Sequence, residues 1–185
     1  MRSSPASGAC TAAEALGVTP DIMTMAKGLT NGAVPMGATL VTPAVFEAFM
    51  AQPRGAPEFR HGYTYSAHPL ACAAGLATLD AYQQDGMFEA SARIAEPFRA
   101  ALLELQGARH VVDVRCCGLL GAVDLAPRAD APGARGAELA DHCLAAGVLV
   151  RAAGDMMVLS PPLVVSGAQV EETLSVLRRV LAAVA

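Results

Sequence analysis

Charge is scarce in this sequence. Only 16% of the 185 residues are Asp, Glu, Lys or Arg, against roughly 25% in an ordinary soluble protein, while 54% are apolar. Such an imbalance implies that part of the surface is covered, either by another subunit or by another part of the same protein. There is no basic stripe, and the formal net charge of -4 comes from interspersed acids and bases, so nucleic acid is not expected as a partner. Cys10, Cys72, Cys116, Cys117 and Cys143 form no C-x-x-C pair and show no His spacing suited to zinc; they read as small buried hydrophobes in a reducing cytoplasm. Residues 1–11 hold one Arg with no continuous apolar core after it, which is not the pattern of a secretory signal. The charge-free stretches 28–46 and 61–79 are long enough to cross a bilayer, but Gly, Pro and polar residues break both, so no membrane span is expected.

The length suits one full domain, or a piece of one followed by a second, smaller one. After the turn at Gly17-Val18-Thr19-Pro20-Asp21, the apolar residues 22–26 fit a buried strand with Lys27 at its end. Gly28 and Gly32 make the next loop permissive, and 37–41 reads as a second strand. Pro43 opens a helix over 43–50, and 51–66 is loop by composition. Pro69 opens another helix, 70–82, in which Gly75 lets a second backbone approach; it is read as a linker between domains. Apolar residues from Met87 to Leu105 keep helical spacing, with Pro97 expected to kink or interrupt the helix. Strands are expected at 111–115, 119–125, 148–151 and 156–159, with a helix over 137–146 closed by Gly147. Ser166 and Gln169 form a capping box for a last helix carrying Val170, Leu174, Leu177 and Leu181 on one side. No internal repeat is present.

Chemistry is most concentrated around Lys27. From Asp21 to Gly37 it is the one cation, and beyond Asp21 its neighbours are apolar, small or neutral. Desolvation disfavours an ammonium and leaves a nucleophilic amine, which an imine-forming lysine requires. The alternative is a lysine that reaches water along its stem.

The stretch Asp21-Ile22-Met23-Thr24-Met25-Ala26-Lys27, followed by Asn31-Gly32 and Pro35-Met36-Gly37, resembles the lysine motif of class III, pyridoxal-phosphate-dependent aminotransferases. Two further motifs, in the family's order, are similar to its ω-amino-acid:pyruvate and β-alanine:pyruvate branch. These are His61-Gly62-Tyr63-Thr64-Tyr65-Ser66-Ala67-His68-Pro69 and Leu149-Val150-Arg151-Ala152-Ala153-Gly154-Asp155. Three separated motifs are far more specific than one.

The resemblance implies an α/β protein of the aspartate-aminotransferase-like type, fold type I. Residues 1–68 would be the C-terminal end of the large cofactor-binding domain, 69–86 the linker helix and 87–185 the small α+β domain. Lys27 would form the Schiff base with pyridoxal 5'-phosphate and move the proton between the substrate and the cofactor. Thr64 would reach the cofactor phosphate of a neighbouring subunit, and Tyr63 would line that subunit's substrate pocket, which requires a homodimer or larger. The other reading of Tyr63, Tyr65 and His68 is that they pin a surface loop. Arg151 would bind a substrate carboxylate bidentately; its alternative is an ion pair with an acid such as Asp155. Arg115 is taken as structural.

The family's glycine-serine phosphate loop, ring-stacking aromatic and pyridinium-pairing aspartate all precede the lysine motif. Here no acidic residue stands before Glu14. The chain thus resembles the C-terminal portion of a transaminase that moves an amino group from an ω-amino acid or amine to pyruvate or a similar keto acid. An ornithine-type aminotransferase or an aminomutase is the alternative within the class. Outside it, the alternative is a non-catalytic fragment or interaction module that retains the fold.

Overall fold

The computed structural model describes residues 9–51, 53, 55, 56 and 61–184. The expectations for residues 1–8, and for part of the 51–66 loop, fall outside the described residues. In chain order the elements are α1 (Ala12–Ala15), β1 (Ile22–Ala26), β2 (Gly37–Val41), α2 (Pro43–Met50), α3 (Pro69–Gln84), α4 (Met87–Leu103), β3 (Val111–Cys117), β4 (Leu120–Leu125), α5 (Ala134–Ala145), β5 (Arg151–Ala153), β6 (Met156–Leu159) and α6 (Gly167–Ala183). Two compact units divide between Gly86 and Met87.

In the first unit, β1 and β2 pair antiparallel, from Ile22 opposite Val41 to Ala26 opposite Gly37. Pro43 and Pro69 each start a helix, where a missing N–H costs nothing. The expectation of a buried strand at 22–26 is corrected. β1 alternates between exposed and half-buried positions, and Ile22 is 57% exposed. Its sheet has two strands, too few to cover a run composed for a larger, covered sheet. Phe46, Phe49 and Met50 of α2 and Leu70, Leu76 and Leu79 of α3 are exposed as well. The scarcity of charge therefore has a structural counterpart in this unit.

The second unit is built on an antiparallel sheet in the order β3-β4-β6-β5. Phe98 and Leu102 of α4, Leu139 and Cys143 of α5, and Leu174 and Leu177 of α6 join Val123 and Met157 of the sheet in one buried cluster. Each such side chain contributes about 1.5–3 kcal/mol by leaving water. Gly121 of β4 allows α4 to come this close: a Cβ there would stand 2.5 Å from Leu102 Cδ2 and 3.2 Å from Phe98 Cζ. The capping box of α6 is complete, with Gln169 N–H on Ser166 Oγ and Ser166 N–H on Gln169 Oε1. Val170, Leu174, Leu177 and Leu181 are all buried.

Pro97 lies within α4, so of the two expected effects interruption does not occur; it is on the exposed side, where water can satisfy the carbonyl it leaves unpaired. Three local expectations are corrected. β5 begins at Arg151, not 148, pairing Arg151–Ala153 with Val158–Met156. Beyond β6 stand Pro161 and Pro162, which have no N–H to extend the ladder. α5 begins at Ala134, not 137, because its first turn is capped from a distant segment, the Asp155 carboxylate. Of the five cysteines, Cys143 is buried, whereas Cys10 and Cys117 are exposed, the latter on the last residue of β3.

Candidate active site

The chain leaves β1 by turning on Lys27, whose φ of 62° lies in the left-handed region. A residue with a Cβ pays on the order of 1–2 kcal/mol to stay there, so the surrounding contacts must impose it. Several do. The Lys27 carbonyl accepts the N–H groups of Thr30 and Gly32, each at 3.3 Å. Asn31 and Gly32 continue with φ of 49° and 77°. Thr30 is 1% exposed, and its hydroxyl donates to the Val34 carbonyl at 2.5 Å.

Helix α3 backs this loop. A Cβ at Gly75 would lie 3.5 Å from both the Leu29 carbonyl oxygen and the Met36 sulfur, so the expected close approach of a second backbone at Gly75 is present. From the last turn of α3, the Tyr82 hydroxyl donates to the Gly28 carbonyl at 2.9 Å. Burial, and then Cys10, raise the Tyr82 phenol above its ordinary pKa, in the direction that favours the protonated donor. Neither Tyr82 nor Thr30 was legible as part of the site. Nothing in a run of Ala, Leu and polar residues announces a bond to a carbonyl 54 positions away.

Lys27 itself is exposed. The expected desolvation is therefore not supplied by the described residues, because the two-stranded sheet puts no layer over its end. Its stem reaches water, as the alternative reading had it. Lys27 is also the single lysine of the chain, the other twelve of the 13 basic residues being Arg.

Tyr63 and Thr64 lie in the same compact unit as Lys27, on an exposed loop before α3. The loop is tied within itself: Ser66 N–H donates to the Tyr63 carbonyl at 3.1 Å and His68 N–H to the Tyr65 carbonyl at 3.3 Å. Ala67 takes a φ of 56°, and the His61 and Tyr63 rings meet edge to face at 4.2 Å. The turn leaves Tyr63, 62% exposed, and Thr64 open to the outside.

Arg151 belongs to the second unit and opens β5 with its side chain exposed. The alternative of a pair with Asp155 is overturned. Asp155 accepts from Gly133 N–H at 2.6 Å and Gly136 N–H at 3.1 Å, and these backbone donors hold its carboxyl below the usual carboxylate range. Arg135, buried at the start of α5, donates to the Ala126 carbonyl. A Cβ at Gly136 would stand 2.1 Å from the Gly154 carbonyl oxygen, so the β5–β6 turn and the start of α5 touch backbone to backbone. Arg115 instead bridges Asp113 and Asp124, in keeping with its structural reading.

An aminotransferase class-III family model matches residues 4–181. The chain belongs to the class III aminotransferase family. This class III chain is 48% identical over 174 residues to an ω-aminotransferase of Caulobacter vibrioides, covering 94% of this chain and 40% of that protein. It is 48% identical over 156 residues to a β-alanine–pyruvate aminotransferase of Pseudomonas aeruginosa, covering 83% and 35%. Among solved structures, an amine transaminase from an uncultivated Pseudomonas species, described as PLP-bound in the internal aldimine form, superposes with a TM-score of 0.89 at 34% identity. That match covers 97% of this chain and 42% of the other. The class III chain thus has the α/β fold of these transaminases and spans about 40% of the length of the curated relatives it matches. No helix among the described residues is long and apolar enough to cross a membrane.

Proposed function

We propose that this chain is the C-terminal portion of a pyridoxal-phosphate-dependent transaminase that moves an amino group from an ω-amino acid or amine to pyruvate or a similar keto acid. The observation that carries the reading is Lys27: a single lysine, seated in a left-handed turn at the end of β1, in a chain 48% identical to an ω-aminotransferase. In this reading 1–68 is the end of the large domain, 69–86 the linker helix and 87–185 the small domain. The division between Gly86 and Met87 supports it.

The residues present fit the cofactor by the chemistry of their donors. An amine matches its aldehyde, a hydroxyl its phosphate, and a guanidinium the carboxylate of a substrate. When bound, the cofactor supplies the electron sink for breaking a bond at the carbon bearing the amine. Lys27 holds the cofactor and serves as the base that takes and returns a proton at that carbon. Its strand-end turn fixes the direction in which the side chain leaves the backbone. Thr64 donates to the phosphate and Tyr63 lines the substrate pocket, both toward a second subunit; their outward presentation on one tied turn supports a homodimer or larger. Arg151, with its fork unpaired by any of the ion pairs among the described residues, receives the carboxylate of an acid substrate. The soluble cell interior, the cytoplasm, suits a chain with five free thiols.

The exposure of Lys27 favours one alternative, a non-catalytic fragment that retains the fold and binds a covering partner. Borohydride reduction of the full chain with pyridoxal 5'-phosphate, followed by peptide mapping, separates the two. The transaminase reading expects the reduced adduct on Lys27 well ahead of the α-amino group, and none on that peptide in Lys27→Ala or Lys27→Arg. Labelling of Lys27 no faster than the α-amino group would sink it.

A further inference from the structure

We propose that Tyr82 is a positioning residue for Lys27, its hydroxyl fixing the Gly28–Leu29 peptide and so holding the turn that the lysine opens. The proposal rests on the reading of Lys27 given above. Gly28 follows Lys27 directly, and a glycine's peptide swings more freely than any other. With that peptide free, the turn from Lys27 to Gly32 would loosen, and with it the two bonds on the Lys27 carbonyl that help to hold the lysine at its positive φ. The bond from Tyr82 at 2.9 Å removes the freedom. Its donor sits in the last turn of a 16-residue helix, and the same helix brings Gly75 against Leu29 and Met36. Two points of one helix therefore grip the loop: at Gly75 through packing, at Tyr82 through a directed bond. The two N–H bonds onto the Lys27 carbonyl, from Thr30 and Gly32, close the turn that contains Gly28 and report on it.

Tyr82→Phe keeps the ring and removes the donor. Amide hydrogen exchange of the full chain is read by NMR at Thr30 and Gly32, with Cys72 and Asp85, near the two ends of α3, as controls for the helix itself. Loss of one hydrogen bond of ordinary net strength should speed exchange at Thr30 and Gly32 by roughly fivefold and leave the controls unchanged. The reduced Lys27 adduct with pyridoxal 5'-phosphate should form more slowly by a similar factor, while Tyr65→Phe, on an 83% exposed side chain, should match the parent. Tyr82→Met, which fills the slot without a donor, should repeat the result and stands in should the Phe variant not fold. Unchanged exchange at Thr30 and Gly32, or faster exchange with an unaltered labelling rate, overturns the role of Tyr82. Absence of the Lys27 adduct from the parent chain is a distinct failure: it removes the reading of Lys27, and with it the purpose assigned to the clamp.

Discussion

Replacing Asp155 by Ala should loosen the whole second unit, although the residue lies in a turn. Its carboxylate accepts two N–H groups at the start of α5, Gly133 at 2.6 Å and Gly136 at 3.1 Å. α5 has no side-chain cap of its own, since Gly133 occupies that position. A net hydrogen bond to a charged acceptor contributes about 1.5–3 kcal/mol. Water can reach this partly exposed site and recover some of that, so the pair together should contribute about 2 kcal/mol. For a unit of this size about 2 kcal/mol corresponds to a fall in melting temperature of roughly 8–16 °C. Calorimetry of the full chain, with hydrogen exchange of α6 peptides to assign the transition to the second unit, is the assay.

The pH dependence gives the sharper test. The carboxyl is held below its usual range in the folded protein, so its contribution is fully present well above the unfolded value of about 3.9 and is lost as pH falls through the lower folded value. The gap between parent and variant should be constant from pH 7 to about pH 5 and then close in acid. A variant as stable as the parent at pH 7, or a gap that persists unchanged to pH 3, would refute the reasoning.

Gly136→Ala should disturb the same junction from the other side. Its new Cβ would meet the Gly154 carbonyl oxygen at 2.1 Å, and separating two backbones should cost about 1–3 kcal/mol, read in the same melting experiment. Ser166→Ala removes half of the capping box of α6 and should cost about 1 kcal/mol, with no change in the Lys27 adduct. In an enzyme completed by its N-terminal portion, Arg151→Ala should raise KM for keto acids about tenfold or more while leaving simple amines nearly unaffected; equal effects on both would remove Arg151 from carboxylate binding.

Elements carried by local rules were legible. Pro43 and Pro69 mark the first residues of α2 and α3, and the Ser166–Gln169 pair announces α6, because each rule acts within one turn of chain. Gly147, with a φ of 86°, closes α5 as its position after the helix led one to expect. The errors have a common cause: each depended on a neighbour that the local pattern does not name. The start of α5 waited on Asp155, the extent of β5 on what β6 could pair with, and the burial of β1 on the number of strands beside it.

The site divides in the same way. Lys27 stood out by its type and its uncharged surroundings, while Tyr63, Thr64 and Arg151 were picked out by the resemblance of their motifs to the family's, and the lysine could have been marked further by being the chain's single one. Those are properties of residues and are written in the chain. The turn that holds Lys27 at a positive φ, the Tyr82 hydroxyl on Gly28, the buried Thr30 beneath it and the commitment of Asp155 to the start of α5 were decided by tertiary structure. The Tyr82 and Asp155 bonds join residues 54, 22 and 19 positions apart; each needs a donor and an acceptor within about 3 Å of each other, and in a chain only folding sets that distance between residues far apart in sequence.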